Sequence, residues 1–321
     1  MRKRSLLLAV GACLATLSLT VSTALADPTG PPTFRALAGV GAGVTNAVMN
    51  ALANNITDGT GTKIVGSYDS EGSATIQTKA TGCVIDRPDG DIPGVDSLVA
   101  HTADGCVQFA RTGLDDHATR TGQNLTYIPF ANDAFGYATL GTTTVPSSLT
   151  VAQLTSIYNC GVPAIQPLLP HFGEGTRGDF LGKLGLTDAP NFTTTHPCVK
   201  DTAPDGSPIE ENNGNFVTAT NQLMPYTTAL WISQVSGVVP DLHSATVLRR
   251  IGGVTPMQVN PDSTLLRPVF NVVPTGQIGA GTLTNQVFVG PGSKVCTDAT
   301  TIKRFGLALH SACGSTAIHT P

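Results

Sequence analysis

The segment Gly173-Glu174-Gly175-Thr176 runs straight into a helix-like stretch, Arg177-Gly178-Asp179-Phe180-Leu181-Gly182-Lys183-Leu184. Two glycines let the backbone turn sharply, so the first free N–H groups of the helix can point into a cleft and form an anion site. Glu174 sits in the middle of that cradle and is itself an anion. A carboxylate about 4 Å from a bound anion repels it by roughly 4 kcal/mol at an effective dielectric of about 20. The helix N-terminus offsets only about 0.3–2 kcal/mol of this, and one charge-assisted hydrogen bond about 1.5–3 kcal/mol. An anion site here therefore requires Glu174 to be protonated, turned away, or paired with Arg111 or Arg177. Alternatively Glu174 fills the cradle as an internal ligand mimic that caps the helix, or it lies in solvent and meets only the helix dipole.

Catalysis is not indicated. Ser, His and Asp residues occur, but without a G-x-S-x-G elbow. His171, three residues before Glu174, invites an acid–base reading, but a histidine beside Pro170 in a loop reads more simply as an exposed one. Leu181, Leu184 and Leu186 read as ordinary core positions.

The elements that must position the cradle follow a strand–turn–helix pattern. Residues 33–38 read as a strand, with Thr45-Asn46 opening a helix that carries Val48, Met49, Leu52 and Ala53 on one face. Residues 63–68, 106–111 and 125–131 read as further strands, the last broken by Asn132-Asp133-Ala134. Thr150 is a plausible N-cap for a helix whose apolar face is Val151, Leu154, Ile157 and Tyr158. Residues 223–232 read as a return strand and helix, and the Thr-, Pro- and Gly-rich tail from Val238 as β-hairpins and loops. Small polar residues at the C-terminal ends of strands are the ligand edge of an open α/β sheet.

Composition narrows the class. Met1-Arg2-Lys3-Arg4, an apolar run and Ala24-Leu25-Ala26 form an export signal over residues 1–26, leaving 295 of 321 residues. Cys13 offers the alternative of a lipid anchor at the cell surface. Charged residues are only 12 % and the net charge is −4, which argues against a nucleic-acid partner. Leaving out Cys13, the six cysteines of an exported chain point to disulfides, with fifteen pairings open. Their three separated clusters make Cys83–Cys106, Cys160–Cys198 and Cys296–Cys313 the simplest choice. Each such bridge is worth about 3–4 kcal/mol in the chain-entropy model. No C-x-x-C occurs and no His lies at ligand spacing from a Cys pair, so neither a metal nor a cofactor is expected.

In order and spacing, Gly41-Ala42-Gly43-Val44-Thr45-Asn46, Val107-Gln108-Phe109-Ala110, residues 149–158, Gly173-x-Gly175-Thr176 and residues 225–232 resemble the PstS-like phosphate-transporter solute-binding family of type II periplasmic binding proteins, in an actinobacterial-type form. The resemblance covers roughly residues 33–235. It implies an α/β fold of two lobes joined by two hinge crossovers near Phe130–Asp133 and Met224–Tyr226, with a loop- and β-rich C-terminal part. Lobe I would be 27–131 plus 226–321, and lobe II 132–225. It further implies a monomeric, non-enzymatic extracytoplasmic protein that closes on a solute, phosphate or another oxyanion, and hands it to an ABC permease. An alternative is a secreted binding or interaction protein on the same scaffold that has left transport.

The family's oxyanion contacts map onto Thr45 and Asn46, onto Ser73, onto Arg111 and Thr112, and onto Gly173, Glu174, Gly175, Thr176 and Arg177. For Thr45 a plain N-cap, and for Ser73 a plain turn serine, stand beside these readings. The chain departs from the pattern at Gly113, where the resemblance expects an acid, at Glu174 in place of a serine, and at Pro170 and Phe172 in place of an arginine and an aspartate.

Overall fold

The computed structural model describes residues 27–255 and 265–321. The export signal and Cys13 lie outside them. The N-terminal part comprises β1 (Leu37–Gly41), α1 (Asn46–Asn55), β2 (Val65–Ser67), a small hairpin of β3 (Thr75–Gln77) and β4 (Val84–Asp86), α2 (Asp91–His101) and β5 (Phe109–Thr112). β1 pairs in parallel with both β2 and β5. The strands start a few residues later than the apolar runs suggest.

β6 (Leu125–Leu140) is the spine of the molecule. The polar break expected at Asn132-Asp133-Ala134 is absent, because these residues pair with β11 (Leu266–Pro274), Arg267 standing opposite Asp133. The buried Asp133 side chain serves the interior instead of a turn. Between β6 and β11 come β7 (Ser148–Leu149), α3 (Val151–Tyr158), β8 (Gln166–Pro167), α4 (Gly175–Lys183), α5 (Phe192–Thr195), β9 (Gln222–Thr227), α6 (Thr228–Val235) and β10 (Thr246–Ile251). Thr150 caps α3 through a reciprocal capping box with Gln153.

The tail differs from the hairpins expected of it. β11 lies in the sheet between β5 and β6, and short helices α7 (Leu283–Phe288), α8 (Lys294–Thr297) and α9 (Ala299–Arg304) follow. Pro268, Asn271 and Pro274 interrupt the apolar run of β11 and disguise it; the strand is antiparallel to both neighbours. The chain closes with β12 (Ala308–Leu309) and β13 (Ile318–His319), both on β6.

Side chains bury in four clusters, which fall into two sets according to the half of β6 they draw on. One gathers Leu52, Phe109, Phe130, Val269 and Phe288, continuing through Val40, Leu98, Tyr127 and Phe270. The other gathers Leu154, Tyr158, Phe180, Leu181 and Leu223, continuing through Met224, Trp231 and Leu248. β6 contributes to both, so Asp133 sits where the two sets meet. Trp231, Leu248, Ile251 and Leu265 belong to the second set although the sequence reading gives 226–321 to lobe I. The three disulfides pair sequentially, Cys83–Cys106, Cys160–Cys198 and Cys296–Cys313, with Cα separations of 5.3, 5.6 and 5.9 Å. No described helix is long and apolar enough to cross a membrane.

Candidate functional site

Gly173 takes φ +108° and turns the chain into α4, with Glu174 at the N-cap position. The Glu174 side chain makes no capping hydrogen bond, so it does not fill the cradle. Asp91, the first residue of α2, does. Its Oδ2 accepts the Gly175 N–H at 2.7 Å, and its Oδ1 accepts the Thr112 hydroxyl at 2.9 Å and the Gly113 N–H. A β-carbon at position 175 would lie 2.2–2.4 Å from that carboxyl group, so only glycine admits the contact. Burial raises the Asp91 carboxyl above its usual range, against the pull of Arg267 and these donors.

Neither expected arginine reaches Glu174. Arg111 is fully buried and holds the first lobe's strand ends together. Its Nη1 donates to Ser67 Oγ at 2.5 Å, and its Nη2 to Gly41 O, Asn46 Oδ1 and Tyr68 O at 2.7, 2.9 and 2.6 Å. Burial lowers its pKa to about 10. Arg177 turns back from α4 to Asp188 at 2.9 Å and Asp201 at 2.8 Å. The cation beside Glu174 is His171, whose Nε2 lies 3.3 Å from Glu174 Oε1. Sequence context suggested an exposed loop histidine; the side chain is only 20 % exposed. Burial lifts Glu174 to about 7 despite His171, and Glu174 in turn lifts His171 to about 9.

The remaining expected contacts divide. The Thr45 hydroxyl donates to Ala42 O at 3.0 Å within a 3-10 turn, makes no cap, and is fully buried. Asn46 bridges Arg111 and Ser70 Oγ, the latter at 3.1 Å. Ser73 is exposed, donates to Thr75 O and accepts from Arg87, away from the cradle. Ser70, which the sequence reading passed over, is the buried serine of that turn.

Sequence reasoning also missed the cation at the centre. Arg267, 1 % exposed, extends from the start of β11 across the face of Phe135, 4.7 Å from the ring centre. Its Nη2 donates to Thr176 Oγ1 at 3.2 Å and lies 3.5 Å from Asp133 Oδ2. Its Nε and Nη1 are buried without a hydrogen-bond partner. The Glu211 carboxyl group lies close enough to act on the charge of Arg267. A β-carbon on Gly43 would come within 2.8 Å of Glu211 Oε1, so this carboxyl group reaches across to the turn before α1. Its oxygens are shielded from solvent without a well-formed hydrogen bond, and burial pushes its pKa well up, with Glu174 and Asp91 adding to the effect. Asn212 anchors this segment in the left-handed region (φ +56°), its Oδ1 accepting the Thr227 N–H at 2.7 Å. Two adjacent glutamates, Glu210-Glu211, in so weakly charged a chain are the signal that could have drawn attention here.

The arrangement is a buried guanidinium and a helix N-terminus enclosed by the carboxyl groups of Asp91, Glu174 and Glu211. Such a site favours a ligand that both accepts and donates hydrogen bonds. No family model matches the sequence, and comparison with curated proteins gives no match. Solved structures do match. The chain is similar to an ABC-type phosphate transport receptor from Vibrio cholerae, with a TM-score of 0.55 and 15 % identity over 85 % of this chain and 100 % of that one. It is also similar to a putative phosphate ABC transporter substrate-binding protein with bound phosphate from Clostridium perfringens, with a TM-score of 0.57 and 13 % identity over 86 % and 99 %. What the chain shares with both is the two-lobed α/β fold of the type II periplasmic binding proteins.

Proposed function

We propose that this chain is an extracytoplasmic solute-binding protein, with no catalytic role, that serves an ABC permease and takes a protonated oxyanion of the phosphate type. The observation that carries the reading is Arg267: a buried guanidinium beside Thr176 and the start of α4, with two nitrogens lacking partners. In their ionised forms Asp91 and Glu211 repel a fully deprotonated anion, a repulsion that burial lessens by raising both carboxyl groups. They accept hydrogen bonds from an anion that carries protons. Phosphate does so at neutral pH and sulfate does not. The two crossovers that the resemblance implies, near Phe130–Asp133 and Met224–Tyr226, would act as the hinge on which the lobes close.

Calorimetry tests this directly. Phosphate is expected to bind and sulfate to bind at least tenfold more weakly. Losing one charge-assisted bond worth about 1.5–3 kcal/mol, Arg267→Met should weaken phosphate binding at least tenfold, and Thr176→Ala should weaken it to a lesser degree. Absence of phosphate binding to the folded protein would end the reading.

A second reading, a secreted binding protein that has left transport, rests on Asp91, which already satisfies the Gly175 and Gly113 N–H groups and the Thr112 hydroxyl. Asp91→Ala separates the two. If Asp91 accepts the ligand's proton, the variant loses phosphate affinity; if Asp91 is a built-in occupant, the variant gains it.

A further inference from the structure

At the outer end of the same cleft four side chains from two sides converge, and of these only Glu174 also borders the solute site. His171 Nε2 lies 3.3 Å from Glu174 Oε1, 3.7 Å from Asp89 Oδ2 and 3.7 Å from Glu210 Oε2. One ligand-type atom from each of the four fits within a 4.8 Å span. We propose that Asp89, His171, Glu174 and Glu210 form a binding site for a divalent transition-metal ion, with zinc as the best-fitting probe.

Three observations support it. A four-coordinate ion with bonds of about 2.0–2.2 Å places its ligand atoms about 3.3–3.6 Å apart; of the distances around His171, the one to Glu174 falls in that range and the two at 3.7 Å lie just beyond it. His171 Nδ1 lies 3.1 Å from Phe172 O, and a carbonyl can only accept, so the ring proton sits on Nδ1. In the metal-bound state this leaves the Nε2 lone pair directed at the carboxylates, the outer-sphere arrangement that orients ligating histidines. Finally, Glu174 Oε2 is buried without a hydrogen-bond partner in a side chain only 2 % exposed, and Glu210 Oε2 likewise has none.

The donor set indicates the class of ion. One imidazole with three carboxylates suits zinc, manganese or iron better than a thiophilic ion. Exposure is graded, from Glu174 at 2 % through His171 at 20 % and Glu210 at 26 % to Asp89 at 46 %, so the cluster opens to solvent on the Asp89 side. Asp89 lies two residues before α2, which packs on β1 and β5, whereas His171 and Glu174 flank the turn into α4. A bound ion would therefore latch the α2 side of the cleft to the α4 side. The proposal stands whatever solute the cleft takes.

The test uses the mature protein with its disulfides, in phosphate-free buffer. Zinc titrated calorimetrically should bind at one ion per chain and raise the melting temperature by several degrees, while magnesium at equal concentration should do neither. Cobalt(II) should give the intense visible absorption of a four-coordinate site. His171→Ala and, independently, Glu210→Gln should each weaken zinc binding at least tenfold and diminish the cobalt spectrum. Zinc binding unchanged in both variants, or no stoichiometric binding by the wild-type chain, would overturn the assignment.

Discussion

Asp133→Ala is expected to lower the free energy of unfolding by about 3–5 kcal/mol, measured by urea titration. Asp133 is fully buried halfway along β6, where the two core sets meet. Its Oδ1 accepts the Ala134 N–H at 2.8 Å and the Ala229 N–H, in the first turn of α6, at 2.9 Å. Its Oδ2 faces Arg267. Alanine strands two buried N–H groups, each costing about 1–3 kcal/mol, and removes a counter-charge from a buried guanidinium. Asp133→Asn keeps an oxygen for both N–H groups and should cost less than half as much.

The two variants also differ with pH. Burial raises the Asp133 carboxyl in the folded state, outweighing Arg267. A raised folded value means that the group's contribution is fully present below the ordinary aspartate range, near pH 4, and is lost as pH rises through the folded value. Asparagine does not titrate, so Asp133→Asn should gain on wild type as pH rises from about 4 toward 8. A constant difference across that range would show that Asp133 titrates as an ordinary surface carboxylate.

What the sequence discloses about this site is what is local to it. The cradle, its two glycines and the start of α4 are legible because glycine spacing and helix onset are written in adjacent residues. The disulfides are legible for a similar reason: each pair closes a short loop, 23, 38 and 17 residues apart. The residues that complete the cradle from elsewhere in the chain are not. Asp91 meets Gly175 across 84 residues and Arg267 meets Thr176 across 91. The sequence names Arg111 and Arg177 as candidates, but backbone carbonyls, Ser67, Asn46 and aspartates engage them. Which arginine faces the cleft is decided by the register of β11 on β6, and no local pattern records it. The same holds for the metal cluster, because a search for cysteine pairs and histidine spacings does not see a lone histidine completed by distant carboxylates.

Arg177 provides the second large effect, and it tests the correction that the structure makes. Its side chain is fully buried. Nε donates to Asp188 Oδ1 at 2.9 Å, and Nη1 to Asp201 Oδ2 at 2.8 Å and Pro170 O at 3.2 Å. The rings of Phe172 and Phe192 lie 5.7 and 6.0 Å from the guanidinium carbon. One cation thus joins the turn before α4 to two separate loops. Arg177→Met leaves two carboxylates without their partner, a break that typically costs about 3–5 kcal/mol. Arg177→Lys should recover little, because a single ammonium cannot reach both aspartates in the geometry of the fork. Below the melting transition, the folded fraction of Arg177→Met should keep its phosphate affinity within a few-fold. A variant of wild-type stability that has lost phosphate binding would instead return Arg177 to the ligand. The guanidinium's geometry, with its donors directed at Asp188, Asp201 and the Pro170 carbonyl, argues for the structural outcome.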